Sequence, residues 1–340
     1  MHYKKSGTFL YVFLSVFLCF FSSAHAKQQE VVVYTALDQI FSEPILQEFE
    51  KRTNIKVKPV YDIEAVKTTG LVNRLIAEKS NPRCDVFWNN EIVRTIALKR
   101  KGILTPYQSP SAADIPASFK DKENYWTGFA ARARVLVVNT NLVKPEDYPT
   151  SVEDLANTQW QGKAAMANPL FGTTSTHVAA LFATLGPEQT TRFLKQILAN
   201  TTHIVDGNSV VRDMTASGEV PFGITDTDDV NVGIISGMPI TAVFPDQAGK
   251  GTLLIPNTVS LVANSPNPEA GRKLIDFLLS KEVEAKLAAS ESAQIPVRKD
   301  VKTPEGGLAQ ADIVAMEVDF EKMTDYLDES TKTVQQIFMK

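Results

Sequence analysis

The sequence predicts an α/β fold with a parallel sheet, in a chain that divides into two lobes. Short apolar runs alternate with helix-period stretches, the rhythm of a sheet with helices packed on it. The runs are apolar on both faces, so both faces of the sheet must be covered. A chain of 340 residues also exceeds what one core usually holds.

The first strand is Val31, Val32, Val33 and Tyr34, apolar throughout. Residues 35–41 read as a loop and residues 44–52 as a helix, with Ile45, Leu46 and Phe49 on one face and Ser42 as N-cap. Residues 55–60 alternate as a second strand, residues 70–79 are helical, and Asp85, Val86, Phe87 and Trp88 form a third strand. Polar Asn89, Asn90 and Glu91 follow, then a helix through Lys101. Val135, Leu136, Val137 and Val138 form a further buried strand. Ser151 opens a short helix, and residues 164–167 form a strand that runs into a loop at 172–176. Helices are expected at 177–185, 187–198 and 210–217, the last closed by Gly218. A strand at 220–224 feeds a loop at 225–229. Residues 253–255 and 259–262 are extended, residues 268–279 and 282–289 are helical, and the tail from Leu308 is mainly helical.

Ahead of the first strand stands a leader. Lys4 and Lys5 give a positive start, the run from Phe9 to Phe21 is almost wholly apolar, and Ala24-His25-Ala26 supplies a small-residue cleavage signal. The apolar run is about 13 residues, short of the roughly 20 that span a bilayer. The expectation is a signal peptide over residues 1–26 and a working protein in the periplasm. Cys19 follows bulky Leu18, which argues against a lipid-attachment site.

Composition is that of an ordinary globule, with 44% hydrophobic and 22% charged residues. A net charge of −4 offers no basic field to nucleic acid. Cys84 is the one cysteine beyond the leader, so no intrachain disulfide can form, and before an apolar strand it reads as a buried thiol. The nucleophile elbow, zinc-protease helix, paired-cysteine and phosphate-loop signatures are all missing, so no enzyme and no cofactor are expected. His177 and His203 are the histidines beyond the leader, and His177 at the start of an apolar helix reads as a packed polar residue.

Polar loops begin where the strands end, which is where open α/β sheets hold ligands. Gly172, Thr173, Thr174, Ser175 and Thr176 combine a tight turn, four hydroxyls and a helix start, a cradle for an oxyanion. The plainer reading is N-capping, which needs one hydroxyl. Arg132 and Arg134, at alternate strand positions, share a face and match an oxyanion bidentately, or else bridge to acids between lobes. Asp226, Asp228 and Asp229 repel one another unless an ammonium group or hard metal ion relieves them, or capping absorbs them. Asp38 and the run Asn89, Asn90 and Glu91 add oxygen and amide groups.

Those pieces stand in an order that resembles the periplasmic solute-binding proteins of bacterial ABC importers, ferric-iron-binding type (extracellular solute-binding family 1). The likeness runs from Val33-Tyr34 through Asp85-Val86-Phe87-Trp88, Arg132-Ala133-Arg134-Val135 and Trp160-Gln161-Gly162-Lys163. It continues through Asn208-Ser209-Val210, Gly218-Glu219-Val220-Pro221 and Ile295-Pro296-Val297-Arg298. The resemblance implies a type II-like two-lobe fold, with hinge strands and a ligand cleft that closes like a trap. It implies one lobe from residues 27–130 and 253–303 and another from 131–252 and 304–340. It also implies a monomer that takes a small molecule or ion and docks on a membrane permease. Iron-binding relatives place a histidine where Asp38 aligns, a glutamate where Asn90 falls beside Glu91, and two tyrosines where Thr227 and Asp228 stand. Loss of both phenolates weakens the iron reading, although Asp38 and Asp228 could supply hard oxygen. An aminoalkylphosphonate fits the retained cradle better: hydroxyls and an arginine for the phosphoryl group, and Asp226, Asp228 or Asp38 for the ammonium. A sensor that presents its ligand to a membrane receptor would use the same cleft.

Overall fold

The computed structural model describes residues 1–2, 28–62, 69–308 and 312–339. The expected leader lies outside the described residues apart from Met1 and His2.

The chain opens with β1 (Glu30–Thr35), α1 (Gln39–Thr53), β2 (Lys56–Tyr61), α2 (Thr69–Ala77), β3 (Val86–Asn89), α3 (Val93–Arg100) and the short β4 (Leu104–Thr105). The long β5 (Thr127–Asn139) follows. After it come β6 (Ala164–Ala167), α4 (Gly172–Leu185), α5 (Pro187–Ala199), β7 (His203–Val205), α6 (Asn208–Ser217), β8 (Phe222–Asp226), α7 (Thr227–Ile235) and β9 (Ile240–Val243). The chain returns through β10 (Leu254–Val262) and ends in α8 (Pro268–Leu278), α9 (Lys281–Ala289), α10 (Phe320–Asp325) and α11 (Leu327–Phe338).

The strands lie in the order β2-β1-β3-β10-β5-β8-β6-β7, with β4 on β10 and β9 on β5. Within each half, β1 with β2 and β3, and β6 with β7 and β8, the strands are parallel as expected. The sheet as a whole is mixed. β10 runs antiparallel to β3 and β5, and β5 antiparallel to β8. The departure has a topological cause: parallel neighbours need a helical crossover, whereas two strands that pass from one half to the other meet antiparallel.

β5 is the crossing strand. Its residues 127–133 pair with β10, and from Arg134 onward it pairs with β8. The register against β10 shifts between Pro256 and Asn257. Opposite the shift, Ala130 takes a left-handed φ of 42°. Asn257 donates to the Ala130 carbonyl, and a buried Glu284 accepts the Ala130 and Val297 amides at 3.1 and 2.7 Å. Arg298 balances that carboxylate at 2.8 Å. Backbone bends at this crossing are therefore held by side chains, which suits a hinge.

Helix α1 starts earlier than Pro44 suggests. Asp38 precedes its first turn, Pro44 lies inside it, and the Ser42 hydroxyl donates back to the Leu37 and Asp38 carbonyls instead of capping. Phe41, Ile45, Leu46 and Phe49 form its buried stripe. Truncating Phe49, which is fully buried, to alanine would cost about 3–5 kcal/mol. The expected loop at 172–176 is instead the first turn of α4, and that at 225–229 divides between the end of β8 and the first turn of α7. Their hydroxyls and carboxylates are hydrogen-bonded by tertiary neighbours, so polar composition there does not mean irregular backbone. Among the described residues the tail is helical only from Phe320, in α10 and α11.

Candidate functional site

Helices α1, α4, α6 and α7 all begin at one cleft, set by Asp38, Gly172, Asn208 and the Asp228–Asp229 pair. Their first-turn N–H groups have no intrahelical acceptor, and the helix dipoles add positive potential there. Gly172 enters α4 with a φ of 52°, a left-handed conformation that glycine adopts without cost. Asn90 arrives from the end of β3, and Arg132 from the crossing strand. Among the described residues of the lining, Asp38, Asp206, Asp228 and Asp229 stand with one guanidinium, Arg132. The space open to water-sized contents there is about 30 Å³.

Below the lining lies a dry charged layer. Arg134, fully buried, donates to Asp226 at 2.7 Å, to the Thr173 and Thr174 hydroxyls at 3.1 and 3.2 Å, and to Asn208 Oδ1 at 3.2 Å. Thr173 and Asn208 donate in turn to Asp226 Oδ2, at 2.7 and 2.9 Å. Arg132 Nη1 sits 3.2 Å from Asp226 and 3.1 Å from Asp228, and its Nη2 donates to the Asn90 carbonyl at 2.7 Å. Burial alone would raise Asp226, but the charges of Arg134 and Arg132 and the Thr173 hydrogen bond hold it below the usual carboxylate range. Burial likewise opposes the Arg132 charge, and Asp228 and Asp226 reverse that and raise its pKa.

The repulsion expected among Asp226, Asp228 and Asp229 is thus relieved by the protein's own cations. Their nearest oxygens lie within 4.8 Å of one another. Asp229 also accepts the Thr225 hydroxyl at 3.0 Å. The arginine fork expected for an external oxyanion instead turns one nitrogen of each guanidinium to these acids and the other to the Asn90 carbonyl or the Thr174 hydroxyl, while neither Nε has an acceptor among the described residues.

Of the residues singled out from sequence, Asp38, Asn90, Arg132, Gly172, Thr173, Thr174, Asp228 and Asp229 line the cleft. Glu91, Arg134, Ser175, Thr176, Asp226 and Thr227 stand behind it. Glu91 accepts the Arg94 amide and the Thr176 hydroxyl, Ser175 accepts from Arg94, and Thr227 accepts the Ala133 amide. Sequence reasoning passed over Asn168, Phe171, Asp206 and Asn208 in the lining. The run Asp206-Gly207-Asn208 is a further strand-end turn before a helix. It was missed because β7 spans three residues, none fully buried, and carries no clear apolar run.

His177 belongs to the second turn of α4 and is almost fully buried. Burial, helped by the nearby Arg134 charge, pushes it down to about 3, so it is neutral at physiological pH. It is a packed residue, as its position on an apolar helix suggested.

A cleft between two α/β halves, floored by helix N-termini and crossed by an antiparallel strand, defines a two-lobe ligand-binding protein. The chain belongs to the family described as bacterial extracellular solute-binding protein, which it matches over residues 45–316. It is 28% identical to iron uptake protein A1 of Synechocystis over 290 residues, covering 81% of this chain and 79% of that one. It is also 28% identical over 276 residues to a periplasmic protein of Salmonella typhimurium named for 2-aminoethylphosphonate binding, covering 79% and 77%. In fold it is similar to a ferric binding protein from Campylobacter jejuni, with a TM-score of 0.82 at 23% identity, covering 91% and 99% of the chains.

Proposed function

We propose that the protein is the periplasmic binding component of an ABC importer, and that it captures a small solute bearing both an oxyanion and a cationic nitrogen. An aminoalkylphosphonate is the class that fits best. The observation that carries this is the pairing in one cleft of helix N-termini with four aspartates. The first-turn amides of α4 and α6, with Arg132 beside them in the lining, suit a phosphoryl group. Asp38, Asp206, Asp228 and Asp229 outnumber the single lining arginine, so a bare dianion would meet net repulsion, and an ammonium on the same ligand offsets it. The Salmonella relative's name supports the same chemistry. Halves that part on entry and close on the ligand would admit such a solute, supply contacts from both sides and expel water. The solute then passes to the membrane permease without chemical change.

Ferric iron with a companion anion is the second reading. The oxygen cluster of Asp226, Asp228 and Asp229, the small space and the iron uptake relative favour it. Among the described residues no tyrosine lines the cleft, which speaks against it.

Titration calorimetry separates the two. The protein should bind 2-aminoethylphosphonate and bind ethylphosphonate, which lacks the amine, at least about tenfold more weakly. Equal affinity for both would remove the role given to the aspartates. Binding of ferric citrate alone, with no response to either phosphonate, would establish the second reading.

A further inference from the structure

The first turn of α4 faces two ways. Thr173 and Thr174 line the cleft, and the next two residues, rotated by about 100° each, turn toward the other half of the sheet. There Thr176 donates to Glu91 Oε2 at 3.0 Å, and Arg94 Nη2 donates to Ser175 Oγ at 3.3 Å and to the Leu170 carbonyl at 3.2 Å. Glu91 and Arg94 belong to the β3–α3 segment of the first half, and α4 to the second. Glu91 also accepts the Arg94 amide, at 3.1 and 3.2 Å, so the two residues are held as a unit. All four side chains are at least nine-tenths buried. Further along α4, Ala180 and Ala183 pack with Ile92, Val93 and Ile96 in one apolar cluster.

We infer that Glu91 and Arg94 form a latch that holds the two halves closed by gripping α4 on the side away from the ligand. They are positioning residues. They touch no lining space, but they fix the helix turn whose other side presents Thr173 and Thr174 to the cleft. The inference rests on the reading that a ligand is held between the halves, although not on which ligand that is. Both contacts pair a charged group with a hydroxyl across the two halves. Loss of both should therefore lower the closed population at least about tenfold.

The test uses the full mature chain with no ligand, which keeps it independent of the ligand's identity. Spin labels on Lys51→Cys in α1 and Lys195→Cys in α5, both exposed, report the distance between halves by electron–electron resonance. Cys84 is buried and should stay unlabelled. The unmodified latch should give a distribution that includes a closed population. Ser175→Ala with Thr176→Val should shift it to longer distances, and Arg94→Gln should do so by itself. Thermal melting checks that each variant is folded; should Arg94→Gln fail, the double variant carries the test. A folded double variant with an unchanged distribution would overturn the inference, because the contacts would then be fixed packing. A parent protein with no closed population would overturn it too.

Discussion

Asp226 and Arg134 lie 2.7 Å apart in a layer that water does not reach, directly beneath the cleft. Each has further partners: Arg132, Thr173 and Asn208 for the acid, Thr173, Thr174 and Asn208 for the base. The pair therefore joins the crossing strand to three helix starts and sets the floor on which a ligand rests. Arg134→Met removes one partner and leaves the other charge buried. Urea unfolding should show a loss of about 3–5 kcal/mol. A loss below about 1 kcal/mol would mean that Arg132 alone satisfies Asp226.

Asp228 behaves differently because it lines the cleft as well as meeting Arg132. Asp228→Ala should weaken binding at least about tenfold under either ligand reading, since an ammonium or a metal ion would lose a charged partner. Calorimetry on the folded variant reads this. Undiminished affinity would take Asp228 out of the site.

Gly172→Ala isolates the backbone. A Cβ there would meet nothing within 4 Å, so the cost is conformational: a left-handed φ of 52° on an alanine, about 1–2 kcal/mol. If α4 relaxes instead, its first amides swing away from the cleft and affinity falls. Thermal melting and calorimetry together should record one loss or the other. A variant unchanged in both would show that this turn neither needs glycine nor presents donors to the ligand.

Acid stability carries the signature of His177. In the folded protein it titrates near 3, whereas an unfolded histidine titrates near 6.5. Between those values the unfolded chain binds a proton that the folded chain does not, so stability falls as pH falls, by about 1.4 kcal/mol per pH unit. Asp226 has the opposite chemistry and the same sign. Its folded pKa is depressed, so its stabilisation is present above about pH 4 and is lost as pH falls further. Urea midpoints from pH 4 to 6.5 should show the histidine slope, and His177→Gln should flatten it. An unaltered slope in that variant would assign the acid sensitivity elsewhere.

Much of this was legible in the chain, for physical reasons that differ by element. Runs such as Val31-Val32-Val33-Tyr34 mark strands because buried parallel strands are apolar on both faces. The four polar strand ends marked the cleft because backbone donors gather at helix starts. What resisted reading was long-range. Nothing near Arg132 and Arg134 says that they lie inside a 13-residue strand that joins both halves, or that their partners are Asp226 and Asp228, some ninety residues on. Nothing beside Arg94 in the sequence marks it out, and only the approach of α4 gives its side chain these partners. The sequence named acids and cations as separate candidates for outside ligands, and folding neutralises most of them against each other.

The most direct test of the central claim is native mass spectrometry of the protein, expressed with its leader and released gently from a bacterial periplasm. The account predicts an added organic mass that contains phosphorus and nitrogen, with no metal, and that is lost in Asp228→Ala. An added mass of iron, with or without a small anion, would contradict it and make the aspartates of the cleft metal ligands.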